Sequence, residues 1–324
     1  MHLRKGVSGD ETKDRLIIWK KLYELVSVAL KPIAPVLKHA ERRLLPSHSR
    51  ATGVQPLVFI LGAPRSGTTI AFQVLTHSLD VLFPSNLGAL FPKNPIFGLW
   101  CSQKLSAARP HRAFRSIQGF SLGDGSRGPS EWESFFRWHV YPHLRRSPLE
   151  RVAELDRILA YVDTTAGKPL MVKTLGAVLY LHSIIHLVPN SRFLYVQRRL
   201  LDTARSIFHA KRRERKSPET VWYVVPPALC NRRFETEAHQ IAAQVRAIHQ
   251  LVIEGFSELS SERYLTVQYE DLCRNPQHVV ARVAQWLGPD VRLRAGARVP
   301  PLSPAEARPL TDVALDRVFQ QECG

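Results

Sequence analysis

The sequence has little of what marks several protein classes. Its four cysteines (Cys101, Cys230, Cys273, Cys323) lie far apart in no metal-ligand spacing, so they read as reduced thiols of a cytosolic protein. No run approaches the ~20 apolar residues that a membrane span needs. A cleavable leader also fits poorly, because the apolar stretch near the N-terminus starts late and lacks a small-residue cleavage site. No internal repeat is visible. Acidic residues are in the minority: 45 Lys and Arg against 28 Asp and Glu leave a formal charge of +17. That excess attracts polyanions such as nucleotides, acidic glycans, nucleic acid or anionic lipid, or forms a solvated basic surface. Hydrophobic residues make up 44% of 324, which is globular rather than disordered and ample for a core.

What is present centres on residues 57–79. Leu57 to Leu61 is a continuous apolar run of strand length, as in a buried parallel strand. Residues 62–69 (GAPRSGTT) form a tight loop of small residues, and from Ile70 the apolar spacing turns helical. Strand, glycine-bearing turn and helix N-terminus in that order make an anion cradle, because first-turn N–H groups lack internal partners and the helix dipole adds positive potential. Gly62 and Gly67 fit the spacing of a nucleoside triphosphatase phosphate loop, with Thr69 at its Ser/Thr position. The lysine of that motif is absent: Thr68 stands there, and Arg65 is the loop's only cation. The cradle therefore suits phosphate or sulfate without being an ATP-and-magnesium loop.

Around the cradle, residues 1–50 mix apolar and basic positions at near-helical spacing (Trp19, Leu22, Tyr23, Val26, Leu30, Ile33), with Pro32 and Pro35 bending or breaking the pattern. A helix packed on the main domain and an amphipathic helix on anionic lipid are both compatible. Residues 47–55 read as a linker. The next strand is 169–173 (PLMVK), so most of 80–165 is insertion, since a βαβ crossover needs only about a dozen residues. Within it, 83–97 and 119–128 read as loops. Ser130 and Glu133 have capping-box spacing before a helix carrying Trp132, Phe135, Phe136 and Trp138, and another helix begins near Pro148. Insertions over the carboxyl end of a parallel sheet commonly wall a substrate site.

Further on, 192–198 (RFLYVQR) is a third strand, 200–208 a helix, and 211–216 a basic run readable as a solvated face. His182 and His186 stand four apart on the helix before that strand, but Ser183 occupies the place of the HExxH glutamate, so the sequence argues for packed or surface histidines and no metal. Ile241 to Val252 marks a long helix, 263–269 (RYLTVQY) a fourth strand, and Asn275-Pro276 opens a helix that Gly288 ends. Residues 291–324, rich in Pro, Ala and Arg, read as a tail.

The third strand decides the chemistry. Metal-dependent phosphoryl transfer wants a carboxylate at a strand end, yet Gln197, Arg198 and Arg199 stand there and none appears until Asp202. Arginine at that place suits a second phosphate, and Ser206 on the following helix can donate to it.

These residues resemble the sulfotransferases that use 3′-phosphoadenosine 5′-phosphosulfate (PAPS), nearest the bacterial carbohydrate-type branch. GAPRSGTT is similar to their 5′-phosphosulfate loop, and FLYVQRRLLDTARSI (193–207) to their 3′-phosphate motif. The Lys173-Thr174 step, VPNSRFLYVQR, YEDLCRNP (269–276) and AQWLG (284–288) resemble later segments. The resemblance covers about 56–288 and implies an α/β fold of P-loop type: a central parallel sheet between helical layers, with a helical insertion between the first two strands and an N-terminal helix. It implies domain limits of 51–290, PAPS as donor, 3′,5′-adenosine bisphosphate as product and no metal. Arg65, Ser66, Gly67, Thr68 and Thr69 would bind the phosphosulfate, and Arg198 and Ser206 the 3′-phosphate. The acceptor would be a hydroxyl of a glycan, glycolipid or similar molecule. Nucleic acid is not an expected partner, and the place is cytoplasmic, with peripheral contact at the inner membrane face left open.

There are departures. Ile70 replaces the tryptophan near the adenine in the small-molecule branch, leaving Trp222 or Tyr223 to stack; Leu175 replaces its catalytic histidine; Asn86 stands near the glutamate of other branches. The glycine-rich closing motif is missing, and RKGVSGD (4–10) echoes it at the wrong end. Arg65 and Lys173 are the cations best placed to stabilise charge on the leaving oxygen. Glu131, Glu133, Asp124 and His139 are base candidates, Glu131 preferred because Glu133 has a capping role. The alternatives are a P-loop kinase using ATP and Mg²⁺, and a non-catalytic basic protein binding membrane or nucleic acid.

Overall fold

A computed structural model describes residues 25–45, 53–107, 109–117, 120–122, 124–303 and 309–324. The N-terminal part of the apolar-basic stretch (with Trp19, Leu22 and Tyr23), the RKGVSGD echo, much of the 47–55 linker and Gly119 lie outside the described residues.

Four strands form one parallel sheet: β1 (Leu57–Leu61), β4 (Leu170–Lys173), β5 (Ser191–Gln197) and β6 (Tyr264–Gln268), in the order β4-β1-β5-β6. Leu57 is in register with both Leu170 and Ser191, and Phe193 with Tyr264. Successive side chains of a strand face opposite sides, and the two cores divide accordingly. Leu57, Phe59, Leu61, Leu170, Val172, Phe193 and Tyr195 pack on one face. Val58, Ile60, Met171, Leu194 and Val196 pack on the other. A strand buried on both faces must read as a continuous apolar run, which is why β1 was legible. Burial of each such side chain contributes roughly 1.5–3 kcal/mol.

The helices that matter here are α1 (Ala34–Leu44), α2 (Thr68–Ser78), α3 (Pro95–Ala107), α4 (Ala153–Tyr161), α5 (Leu181–Leu187), α6 (Leu200–Arg213), α7 (Glu237–Ser257), α8 (Pro276–Leu287) and α9 (Val313–Cys323). The Asn275 side chain caps α8 by accepting from the His278 N–H at 3.1 Å, with Pro276 in the first turn and Gly288 at the C-cap.

Several local expectations are corrected. Residues 83–97 are not all loop, since α3 begins at Pro95. Part of 119–128 is strand: β2 (Arg115–Ile117) and β3 (Phe120–Leu122) pair antiparallel. The helix expected near Pro148 starts at Ala153. The basic run at 211–216 is not a solvated face throughout: α6 continues to Arg213, Lys211 is fully buried, and Lys211 and Arg212 both pair with Glu237, at 2.9 and 2.7 Å. The C-terminal tail ends in α9, whose Phe319 packs with Ile207 of α6 and Ile241 of α7, while Asp316 and Arg205 form a buried two-pronged ion pair at 2.6 and 2.8 Å.

The described N-terminal residues dock on the insertion. Glu41 of α1 is fully buried and its carboxylate accepts from the Ile96 and Phe97 N–H groups at 2.9 and 3.1 Å, capping α3. Arg157 of α4 holds the other oxygen at 3.3 Å. A carboxylate on orphan N–H groups at a helix start satisfies donors and complements the dipole together. No described helix is long and apolar enough to cross a membrane.

Candidate active site

The loop after β1 is held by its two glycines. A Cβ on Gly62 would stand 2.5 Å from Ser66 Oγ and 2.9 Å from the Val196 carbonyl. Gly67 is the N-cap of α2 with φ +93°, and a Cβ there would lie 2.2 Å from the Tyr269 ring. Only glycine lets the loop close this tightly. Ser66 and Thr68 are buried, and Ser66 Oγ has no hydrogen-bond partner among the described residues. A buried hydroxyl left without a partner at a helix N-terminus fits an anionic group such as the donor's phosphosulfate.

Arg65 takes a left-handed backbone, φ +70°. Its Nε donates to Ser206 Oγ at 3.3 Å, and its carbonyl accepts from Arg198 Nη1 at 2.9 Å. Arg198 itself lies 4.9 Å over the Tyr269 ring. The loop, the β5 tip and α6 therefore meet, with Arg65, Arg198 and Ser206 in one hydrogen-bonded cluster. Part of Arg65 reaches solvent, yet desolvation, then repulsion from Arg213 and Arg198, hold its pKa below the usual value. Clustered guanidiniums that repel one another are relieved by a bound polyanion.

On the other side of the loop, Lys173 at the tip of β4 is buried and forms an ion pair with Glu131, whose Oε1 also accepts from Thr69 Oγ1 at 3.0 Å. Thr69 thus links the cradle to the insertion. The capping box at Ser130 and Glu133 does not form. Trp132 takes the left-handed conformation before a short helix (Glu133–Phe135) with no side-chain cap, and Glu133 instead accepts from Thr174 Oγ1, which also meets the Tyr141 hydroxyl. Burial, then the Glu133 charge, push the Tyr141 pKa well up.

The other base candidates are engaged elsewhere. Asp124 accepts from the Arg112 N–H at 3.0 Å, and His139 meets the Pro92 carbonyl at 2.9 Å while stacking on Phe135. Asn86 is buried and donates to the Ser121 and Gly125 carbonyls, both at 2.8 Å. Asp202 is tied to Arg199 at 2.8 Å. Trp222 is buried in the α6–α7 core with its ring 4.4 Å from that of Tyr223, which is half exposed with φ +62°. Burial, then Glu214 and Glu131, raise the Tyr223 pKa to about 12, while Arg65 opposes them. Tyr223, one of the two residues expected to stack on the adenine, stands beside Arg65, and Arg213 is a site neighbour without a sequence motif to announce it.

A search of curated proteins found no match. The family model described as "Sulfotransferase family" matches residues 56–292, most of the chain. The chain belongs to the sulfotransferase family. Among solved structures it is similar to sulfotransferase STF1 from Mycobacterium tuberculosis H37Rv, at 17% identity and TM-score 0.51, covering 89% of this chain and 82% of that one. It is also similar to STF9 from Mycobacterium avium, at 15% identity and TM-score 0.48, over 87% and 71%. A third is the sulfotransferase domain of the curacin biosynthetic pathway, at 16% identity and TM-score 0.40, over 73% and 75%. The STF1 likeness shows that the α/β fold is that of a sulfotransferase. The kinase and non-catalytic alternatives give way to an enzyme of sulfuryl transfer, for which PAPS is the family's general donor.

Proposed function

We propose that this sulfotransferase moves a sulfuryl group from PAPS to a hydroxyl of a glycan, glycolipid or similar large acceptor, without a metal in the transfer step. The observation that carries the reading is the convergence of the 62–69 loop with Arg198 and Ser206 on one side and Lys173 and Glu131 on the other. PAPS, when bound, supplies the sulfuryl group and leaves as 3′,5′-adenosine bisphosphate.

Ser66, Gly67, Thr68 and Thr69 would hold the phosphosulfate through loop N–H groups and hydroxyls, and Arg198 with Ser206 the 3′-phosphate. Arg65 and Lys173 would set positive charge where negative charge grows on the leaving oxygen, an effect stronger in the transition state than before it. Glu131 would take the acceptor's proton as its oxygen bonds to sulfur. Both bonds described for Glu131 fall on Oε1, which leaves Oε2 for a hydroxyl. The insertion at 80–165 would form the acceptor wall within a catalytic domain of 51–290. A charge of +17 and the exposed Leu25, Val28, Ile33 and Val36 favour an acidic or membrane-borne acceptor.

The test is transfer of labelled sulfate from PAPS, in EDTA, to a panel of glycans, glycolipids and small phenols. Transfer to glycans or glycolipids that Arg65→Ala abolishes is expected. Unchanged turnover in Arg65→Ala removes the role given to that residue, and transfer to phenols alone removes the acceptor class. Co-sedimentation with anionic but not neutral vesicles is expected, and none with either rules out the membrane contact.

A further inference from the structure

The sulfotransferase reading leaves one constellation unused. His182 and His186 on α5 lack the glutamate of HExxH, but a carboxylate arrives from 76 residues away. His182 Nδ1 lies 3.0 and 3.1 Å from the two oxygens of Glu258, and His186 Nε2 lies 3.6 Å from Oε2. The three ligand atoms fall within 4.8 Å of one another. Ligands about 2.0–2.2 Å from a zinc ion stand roughly 3.3 Å apart in a tetrahedral shell. The histidine–glutamate separations already match, and exposed side chains close the remainder by rotation.

The backbone beneath is fixed. Leu181 and Ile185 on the inner side of α5 are buried. They seat where α7 has Gly255, at which a Cβ would lie 2.4 Å from Leu181 Cδ2 and 3.7 Å from Ile185 Cδ1. Only a residue without a side chain allows that approach, which sets the two histidines beside the C-cap of α7. That C-cap is Glu258, so a cation here would also face the negative end of a 21-residue helix.

We propose that His182, His186 and Glu258 form a divalent transition-metal site joining α5 to the end of α7. Two imidazoles and one carboxylate suit zinc best, with water in the remaining position. The proposal is independent of the metal-free transfer step, since none of these side chains belongs to the set given to the donor or acceptor.

The test uses the full chain stripped with EDTA, in a Cys230→Ser background because that thiol is exposed. Calorimetric titration with ZnCl₂ is expected to show saturable one-to-one binding. A free concentration 100-fold above the dissociation constant should raise the folding equilibrium about 100-fold, read as a higher thermal midpoint. Co²⁺ should give visible ligand-field bands. His182→Ala/His186→Ala and Glu258→Gln should lose these responses, keep the wild-type midpoint in EDTA, and contrast with His278→Ala, which should retain them. Absence of saturable binding and cobalt bands in the parent protein overturns the proposal, as does unchanged binding in the double variant.

Discussion

Replacing Gly67 with alanine perturbs the loop at a position where the cost can be worked out. The residue has φ +93°, and an added Cβ would stand 2.2 Å from Tyr269 Cδ2, about 1.2 Å inside the 3.4 Å at which ordinary contact begins. An L-residue in the left-handed region costs about 1–2 kcal/mol. Forcing a side chain against a packed ring costs about 1–3 kcal/mol more, and Tyr269 has little room because it is buried under Arg198. The total of about 2–5 kcal/mol is a large part of the stability of a typical domain, about 5–15 kcal/mol. Urea denaturation should show a lower midpoint at unchanged slope. In a Tyr269→Ala background the ring is gone, so the same substitution should cost only the left-handed term. An equal cost in both backgrounds would refute the reasoning, because the ring would then not be what excludes the methyl group.

Three further outcomes follow from the geometry. Glu131→Gln should cut turnover by about 10²–10⁴-fold, the usual range for a positioned base, while leaving nucleotide affinity near wild type; full turnover in steady-state kinetics would pass the role to another group. Glu41→Ala leaves the N–H groups of Ile96 and Phe97 without their acceptor, while Arg157 keeps Glu154 at 2.7 Å, and should cost about 1–3 kcal/mol, the range for buried donors left unsatisfied. A loss under 1 kcal/mol in denaturation would show that water replaces it. His111 is buried, and desolvation, then His77 and Arg294, hold its pKa down to about 3. A lowered histidine value means the unfolded chain binds the proton first, so stability should fall by up to about 1.4 kcal/mol per pH unit from about pH 6.5 toward 3. A His111→Gln variant should lose that part of the acid slope, and an identical slope would contradict the assignment.

Much of the fold was legible because β1 and β4 are apolar runs buried on both faces and because β4 and β5 run into cations, Lys173 and Arg198, at the site. The GAPRSGTT loop was legible because its glycines, cation and hydroxyls are adjacent in sequence. What escaped depends on partners far along the chain. The cap of α3 is Glu41, more than fifty residues earlier, and Glu258 reaches the histidine pair from another helix. Ser130 and Glu133 had capping-box spacing, but Thr174 competes for the Glu133 carboxylate, and tertiary contact wins over local pattern. The α9 helix was hidden because its inner face, with Phe319, makes sense only against α6 and α7. Arg213 reaches the loop through the folding of α6, with no spacing rule to find it, whereas Tyr223 was a named stacking candidate and stands beside Arg65.

The most direct measurement is calorimetric titration of the wild type and Arg198→Ala with 3′,5′-adenosine bisphosphate and adenosine 5′-monophosphate. The wild type should bind the bisphosphate about 10–150-fold more tightly, as expected for charged hydrogen bonds of about 1.5–3 kcal/mol, and Arg198→Ala should lose most of that preference. Equal affinity of the wild type for the two nucleotides would contradict the claim that Arg198 reads a second phosphate.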